Sequence, residues 1–97
     1  MSDFVNKQSN TSWWVYLIRN NRNALYCGVT NNLERRFKMH QDGKGAKALK
    51  GKGPLVLEWS QELNNKVSAM QLEYKIKQLK KIDKETLVKD GYVFPQV

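Results

Sequence analysis

The sequence predicts an α+β domain: a small antiparallel β-sheet flanked by helices, in the order ββαβαα. Three observations carry that expectation. Two short runs rich in aromatic and branched residues, 13–19 and 24–30, are separated by an asparagine-rich tetrapeptide. A third run, 54–61, alternates large apolar and other residues with a period of two. Around and after it stand stretches whose apolar residues recur at three- and four-residue spacing, the period of a helix with one buried face.

The first two runs read as a hairpin, because the asparagines of Asn20-Asn21-Arg22-Asn23 suit the positive backbone angles of a tight turn. Alternation then puts Tyr16 and Ile18 on one face and Val15 and Leu17 on the other, while Tyr26 and Gly28 share a face of the second strand. Gly28 leaves room there for a ligand or another backbone. Asn31 or Asn32 suits the cap of a helix reaching Gln41, with Leu33 and Phe37 on its buried stripe, Arg36 and His40 along one edge, and Gly43 ending it. Residues 43–53, rich in glycine and lysine, read as a mobile loop. In the third strand Leu55, Leu57 and Trp59 face one way and Val56 and Glu58 the other. A helix over 66–80 buries Ala69, Leu72, Ile76 and Leu79. Asp83 is then expected to cap a short last helix carrying Leu87 and Val88.

At 97 residues the chain has the size of one domain. Residues 1–11 read as a disordered leader, 12–90 as the folded domain and 91–97 as an irregular tail. The net charge of +8 points to a polyanionic partner, nucleic acid before a membrane surface. Its distribution is more telling than its sum. Between residues 35 and 52 stand Arg35, Arg36, Lys38, Lys44, Lys47, Lys50 and Lys52 against Asp42 alone, and six lysines follow between residues 75 and 89.

A lone cysteine excludes an internal disulfide, and one histidine with one cysteine cannot build the usual zinc set. No apolar stretch approaches the ~20 residues of a membrane span, and the polar start lacks a secretory apolar core, so a cytoplasmic protein is expected. The segment 43–54 lacks the order of a phosphate-binding nucleotide loop and precedes a strand. It reads instead as a cationic strip that follows a nucleic-acid backbone without reading bases.

Several side chains are candidates for chemistry. Glu73 borders the apolar stripe of its helix and, taken alone, reads as an exposed residue paired with Lys77. Arg36 is either a solvated helix arginine or a planar fork for phosphate oxygens, with Arg35 better suited to phosphate binding. Tyr16 and Tyr26, taken alone, read as core aromatics with a satisfied hydroxyl. His40 is open as general base, phosphate ligand or helix-end residue. Cys27 reads as small core packing.

In order along the chain, Trp14-Val15-Tyr16, Tyr26-Cys27-Gly28, Arg36, His40 and Glu73 resemble the GIY-YIG endonuclease family, and the likeness runs from about Trp13 to Val88. The segment 43–54 and the later Ala69, Glu73, Tyr74, Ile76, Lys77 and Leu79 resemble its small, single-domain bacterial branch and the N-terminal domain of excinuclease C. Trp14 replaces the first glycine of the motif, Val15 and Cys27 replace its isoleucines, and the asparagine many relatives carry after the glutamate has no clear equivalent. The resemblance implies an endonuclease hydrolysing DNA phosphodiester bonds, in repair or recombination, with a single Mg²⁺ or Mn²⁺ held by Glu73. It implies Arg36 on the transition-state charge, and Tyr26 and Tyr16 lining the cleft, where they orient or deprotonate the attacking water. The alternative is a non-catalytic or partner-dependent nucleic-acid-binding module, for DNA or RNA, with a protein partner supplying selectivity.

Overall fold

A computed structural model describes residues 12–96; the expected leader, 1–11, and Val97 lie outside the described residues. Strands β1 (Trp13–Arg19), β2 (Leu25–Thr30) and β3 (Val56–Leu63) form one antiparallel sheet in the order β2-β1-β3. Helices are α1 (Leu33–Gln41), α2 (Lys66–Lys77) and α3 (Lys81–Asp90), with a short 3-10 turn at Lys47–Leu49. The sequence order ββαβαα is the one found.

The β1–β2 turn closes as its asparagines suggest. Asn23 takes a positive φ of 66°, and the Asn20 side-chain oxygen accepts the N–H groups of Arg22 and Ala24 at 2.8 and 3.0 Å. Backbone groups of the turn are thereby satisfied from within it. The resulting register sets Tyr16 opposite Gly28 and Ile18 opposite Tyr26.

Each face of the sheet carries its own core, as the period-two pattern of β1 requires. Val15, Leu17 and Cys27 pack with Ala69, Leu72 and Ile76 of α2 and Leu87 of α3. Tyr16 and Ile18, on the opposite face, pack with Leu49 and Leu55, backed by Tyr26, Leu33 and Phe37. Helix α1 and the loop after it thus cover one face, and α2 with α3 the other.

Strand β3 departs from the simple alternation expected of it. Leu17 pairs with Trp59 but Ile18 pairs with Leu57, a bulge that leaves Glu58 as the extra residue. One inserted residue shifts the side-chain phase, so Leu55 and Leu57 join the Tyr16 face whereas Trp59 and Leu63 join the Val15 face. The bulged Glu58 accepts a hydrogen bond from Arg19 Nε at 2.6 Å, and the other Arg19 nitrogens donate to both oxygens of Glu85 on α3 at 2.7 Å. This fork ties the turn end of the hairpin to the last helix.

Of the two asparagines before α1, Asn32 is the cap, accepting Arg35 N–H at 3.1 Å. Helix α2 starts on Asn65, which accepts Ser68 N–H at 2.8 Å. It ends at Lys77, short of the expected 80, and Leu79 packs against the core from beyond it. Asp83 is not a cap: α3 begins two residues earlier with Lys80 at the cap position and no side-chain bond there, which places Asp83 inside the first turn. A carboxylate there still complements the helix dipole.

The loop before β3 is pinned to the domain, in contrast to the free strip expected. Leu49 is 1% exposed, and the Asn21 backbone N–H and side-chain amide donate to Lys52 O at 2.9 Å and Gly53 O at 3.1 Å. Beyond α3 the backbone is irregular yet fastened to β3. Trp59 Nε1 donates to Tyr92 O at 2.9 Å, and the Gln61 amide both donates to Phe94 O and accepts Phe94 N–H at 2.8 Å. No described helix is long and apolar enough to cross a membrane.

Candidate active site

Because β1 and β2 are paired in the register above, the Tyr16 ring lies across Gly28. A Cβ at position 28 would press into the Tyr16 hydroxyl and Cζ, so the glycine is required by the tyrosine opposite it. Tyr16 is 2% exposed. Its ring centroid lies 6.4 Å from that of Tyr26 and 5.8 Å from that of His40, and Tyr26 and His40 meet edge-on at 5.7 Å. The three rings therefore form one cluster drawn from β1, β2 and α1.

His40 is the only buried residue of α1, at 2% exposed. Its two ring nitrogens are both engaged. Nδ1 accepts the Ala46 backbone N–H at 3.1 Å, and Nε2 lies 2.9 Å from the Tyr16 hydroxyl. A Cβ at Gly45 would run into the imidazole, so the loop backbone passes flat against the ring because residue 45 is glycine. Burial first, and the Arg36 charge second, push the His40 pKa below its ordinary value. The imidazole is accordingly neutral at physiological pH.

Tyr16 stays a phenol. Burial is the main cause that raises its pKa, and the neighbouring Tyr26, Cys27 and Glu73 add to it, against a lowering by Arg36. Cys27 lies on the other face of the sheet, where burial pushes its thiol up to about 12. It serves as core packing.

Arg36 is half-buried on the α1 edge and acts electrostatically on both Tyr16 and His40. With Arg35 it lines a cavity of about 100 Å³ at the start of α1, shared with Thr30, Asn31 and Asn32. Arg35, Lys38, Lys44, Lys47 and Lys50 are exposed and Lys52 is half-buried, leaving a cationic rim along α1 and the loop; Lys38 pairs with Asp42 at 3.7 Å.

Glu73 comes from the opposite layer. It is close enough to influence Tyr16 and Cys27, but the ion pair it makes is with Lys77 at 3.3 Å, one turn along α2. Among the described residues no group of three His, Cys, Asp or Glu converges to hold a metal. The single hard-oxygen carboxylate nevertheless suits Mg²⁺, which is commonly held by one or two carboxylates with phosphate oxygens and water completing the shell. An ion shared with a phosphate substrate fits this donor set, and a resident zinc centre does not.

The family model of the GIY-YIG catalytic domain matches residues 12–86, a span containing every one of these side chains. The chain belongs to the GIY-YIG family. Its similar relatives include a UPF0213 protein of Vibrio parahaemolyticus, 76% identical over 78% of this chain and 72% of the relative. The UPF0213 protein YhbQ of Escherichia coli is 51% identical over 90% of this chain and 87% of that protein. A solution NMR structure of a UPF0213 protein from Bacillus halodurans superposes with a TM-score of 0.54 at 37% identity, covering 80% of this chain and 83% of the other. The ring cluster lies inside the matched span, with Tyr16 and Tyr26 at its walls and Gly28 beneath Tyr16.

The sequence expectation left two participants unnamed, Gly45 and the Ala46 amide. A backbone N–H has no residue signature, and Gly45 stands among other loop glycines, so neither was distinguishable by type or spacing.

Proposed function

We propose that this GIY-YIG protein is a divalent-metal-dependent endonuclease that hydrolyses DNA phosphodiester bonds at the Tyr16–Tyr26–Arg36–Glu73 cleft. The observation that carries the reading is the convergence of Tyr16, Tyr26 and His40 over Gly28, with Arg36 within electrostatic reach and a basic rim beside them.

In this reading the lysines of the loop and Arg35 hold the nucleic-acid backbone. Arg36 presents its planar, permanently charged fork to the phosphoryl oxygens as negative charge gathers on them. The Tyr16 hydroxyl orients the attacking water, and Tyr26, less buried than Tyr16, acts in its phenolate form, taking the water's proton and becoming the phenol. Glu73 would hold Mg²⁺ or Mn²⁺ in place of its Lys77 contact, and the ion would supply stabilisation of the charge on the leaving oxygen.

A second reading draws on the Glu73–Lys77 pair itself. A carboxylate that keeps this partner leaves a nucleic-acid-binding module, for DNA or RNA, which cleaves poorly or only with a protein partner. The two readings separate on purified protein incubated with single strands, duplexes, flaps, junctions and RNA in Mg²⁺, Mn²⁺ or chelator, alongside Arg36→Lys. The enzyme reading expects metal-dependent cleavage of DNA that falls on the order of 10² in turnover for Arg36→Lys, with little change in affinity. Metal-independent binding without cleavage on every substrate supports the module.

A further inference from the structure

The loop that carries the basic residues also touches the ring cluster, and it does so through backbone. His40 Nδ1 accepts the Ala46 N–H, so Nδ1 must be unprotonated; a neutral imidazole then carries its proton on Nε2. The 2.9 Å contact to Tyr16 is therefore a donation from His40 Nε2–H to the phenol oxygen. The Tyr16 proton is not directed at His40, and the hydroxyl has no other hydrogen bond among the described residues.

We propose that Gly45 and the Ala46 amide are positioning groups that fix His40 as the Nε2–H tautomer, so that Tyr16 accepts from His40 and keeps its own hydroxyl proton to donate. This rests on the nuclease reading above for its consequence, though not for its geometry. The fixed tautomer removes His40 as the base acting on Tyr16, because the nitrogen facing Tyr16 already holds a proton. It leaves Tyr26, in its phenolate form, to accept the proton of the attacking water.

The geometry is over-determined. Gly45 allows the loop to lie against the imidazole, and any Cβ there displaces it. Leu49, buried four residues on, and the Lys44 N–H bond to Met39 O at 2.9 Å hold the loop on both sides of the contact. The groups facing the ring are Tyr16 from β1, Tyr26 from β2 and Arg36 from its own helix, whereas the loop presents the backbone of Gly45 and Ala46. Protonating Nδ1 would set two N–H groups against each other and add a cation beside Arg36, which agrees in direction with the lowered His40 pKa.

The test is ¹⁵N NMR of the His40 ring in the full chain, the sole histidine and hence free of overlap, for wild type, Gly45→Ala and Ala46→Pro. Ala46 has φ −64°, a value proline adopts, so that variant removes the donor without demanding a new φ. The wild type is expected to show one neutral species protonated on Nε2 at neutral pH. Both variants are expected to show an Nδ1–H population and, where the wild type cleaves, a displaced pH profile with turnover lower on the order of 10² at unchanged DNA affinity. A wild-type ring protonated on Nδ1, or exchanging between tautomers, overturns the proposal, as do variants that keep the wild-type ring signals and pH profile. If the wild type does not cleave any DNA, the nuclease reading fails while the ring spectra still decide the tautomer.

Discussion

Tyr16 and His40 show how much of this site depends on single atoms. A buried phenol and a buried imidazole each need a partner for their polar atoms, and they supply one another. Gly28→Ala forces the Tyr16 ring off its seat, so a loss of stability of about 1 to 3 kcal/mol is expected, read as a lower urea midpoint with an unchanged slope. An unaltered midpoint would mean that the ring relaxes freely. The depressed His40 pKa makes a separate statement about pH. The unfolded chain takes up a proton near 6.5 while the folded one resists it, so this contribution is complete above that value and is lost as pH falls toward the lower folded pKa. Glu85, lowered to about 2 chiefly by its Arg19 hydrogen bonds, affects stability only in a more acidic window, below its ordinary 4.5. The urea midpoint is therefore expected to drop between pH 7.5 and 5.5 in the wild type, and much less in His40→Gln. Equal drops in the two proteins would assign the effect to other groups. Period-two alternation placed Tyr16 with Ile18 and Tyr26 with Gly28, and the family resemblance singled the tyrosines out; Gly45 was not legible, because its requirement comes from a ring that reaches it only in the folded chain.

Element types were set by local signals, and element ends by tertiary ones. The hairpin, the α1 cap and the buried stripe of α2 follow from asparagine placement and three-to-four spacing, and each formed where those signals stand. The β3 bulge was illegible because Leu55, Leu57 and Trp59 keep perfect alternation, whereas the phase change is dictated by pairing with β1 and by Glu58 reaching Arg19. Asp83 was misplaced as a cap because carboxylates are favoured both at the cap and in the first turn. The loop before β3 looked mobile from its glycines, but Leu49 and the Asn21 contacts hold it in place, so its lysines project from an anchored base. If Lys44, Lys47, Lys50 and Lys52 each contact a phosphate, neutralising all four flattens the log-log salt dependence of DNA binding by about 3 to 4 and does so equally on unrelated sequences. An unchanged slope would take this loop out of the interface.

At the scale of the molecule, the sheet separates two halves of the proposed site. Helix α1 and the loop bring Arg36, His40 and the basic rim to one face, and α2 brings Glu73 from the other, with Lys77 as its partner. Sequence spacing placed Glu73 correctly at the edge of its helical stripe, but spacing does not say which partner that edge meets. A substrate phosphate and its cation are what would join the halves. The direct measurement is cleavage and binding of DNA by wild type and Glu73→Gln at ordinary Mg²⁺ and in chelator, since glutamine preserves shape and helix propensity while removing the charge a divalent cation needs. Metal-dependent cleavage is expected in the wild type and absent in Glu73→Gln, with the fold intact and binding in chelator retained or slightly tighter. Equal cleavage by the two proteins would contradict the metal role of Glu73 and move the active site elsewhere.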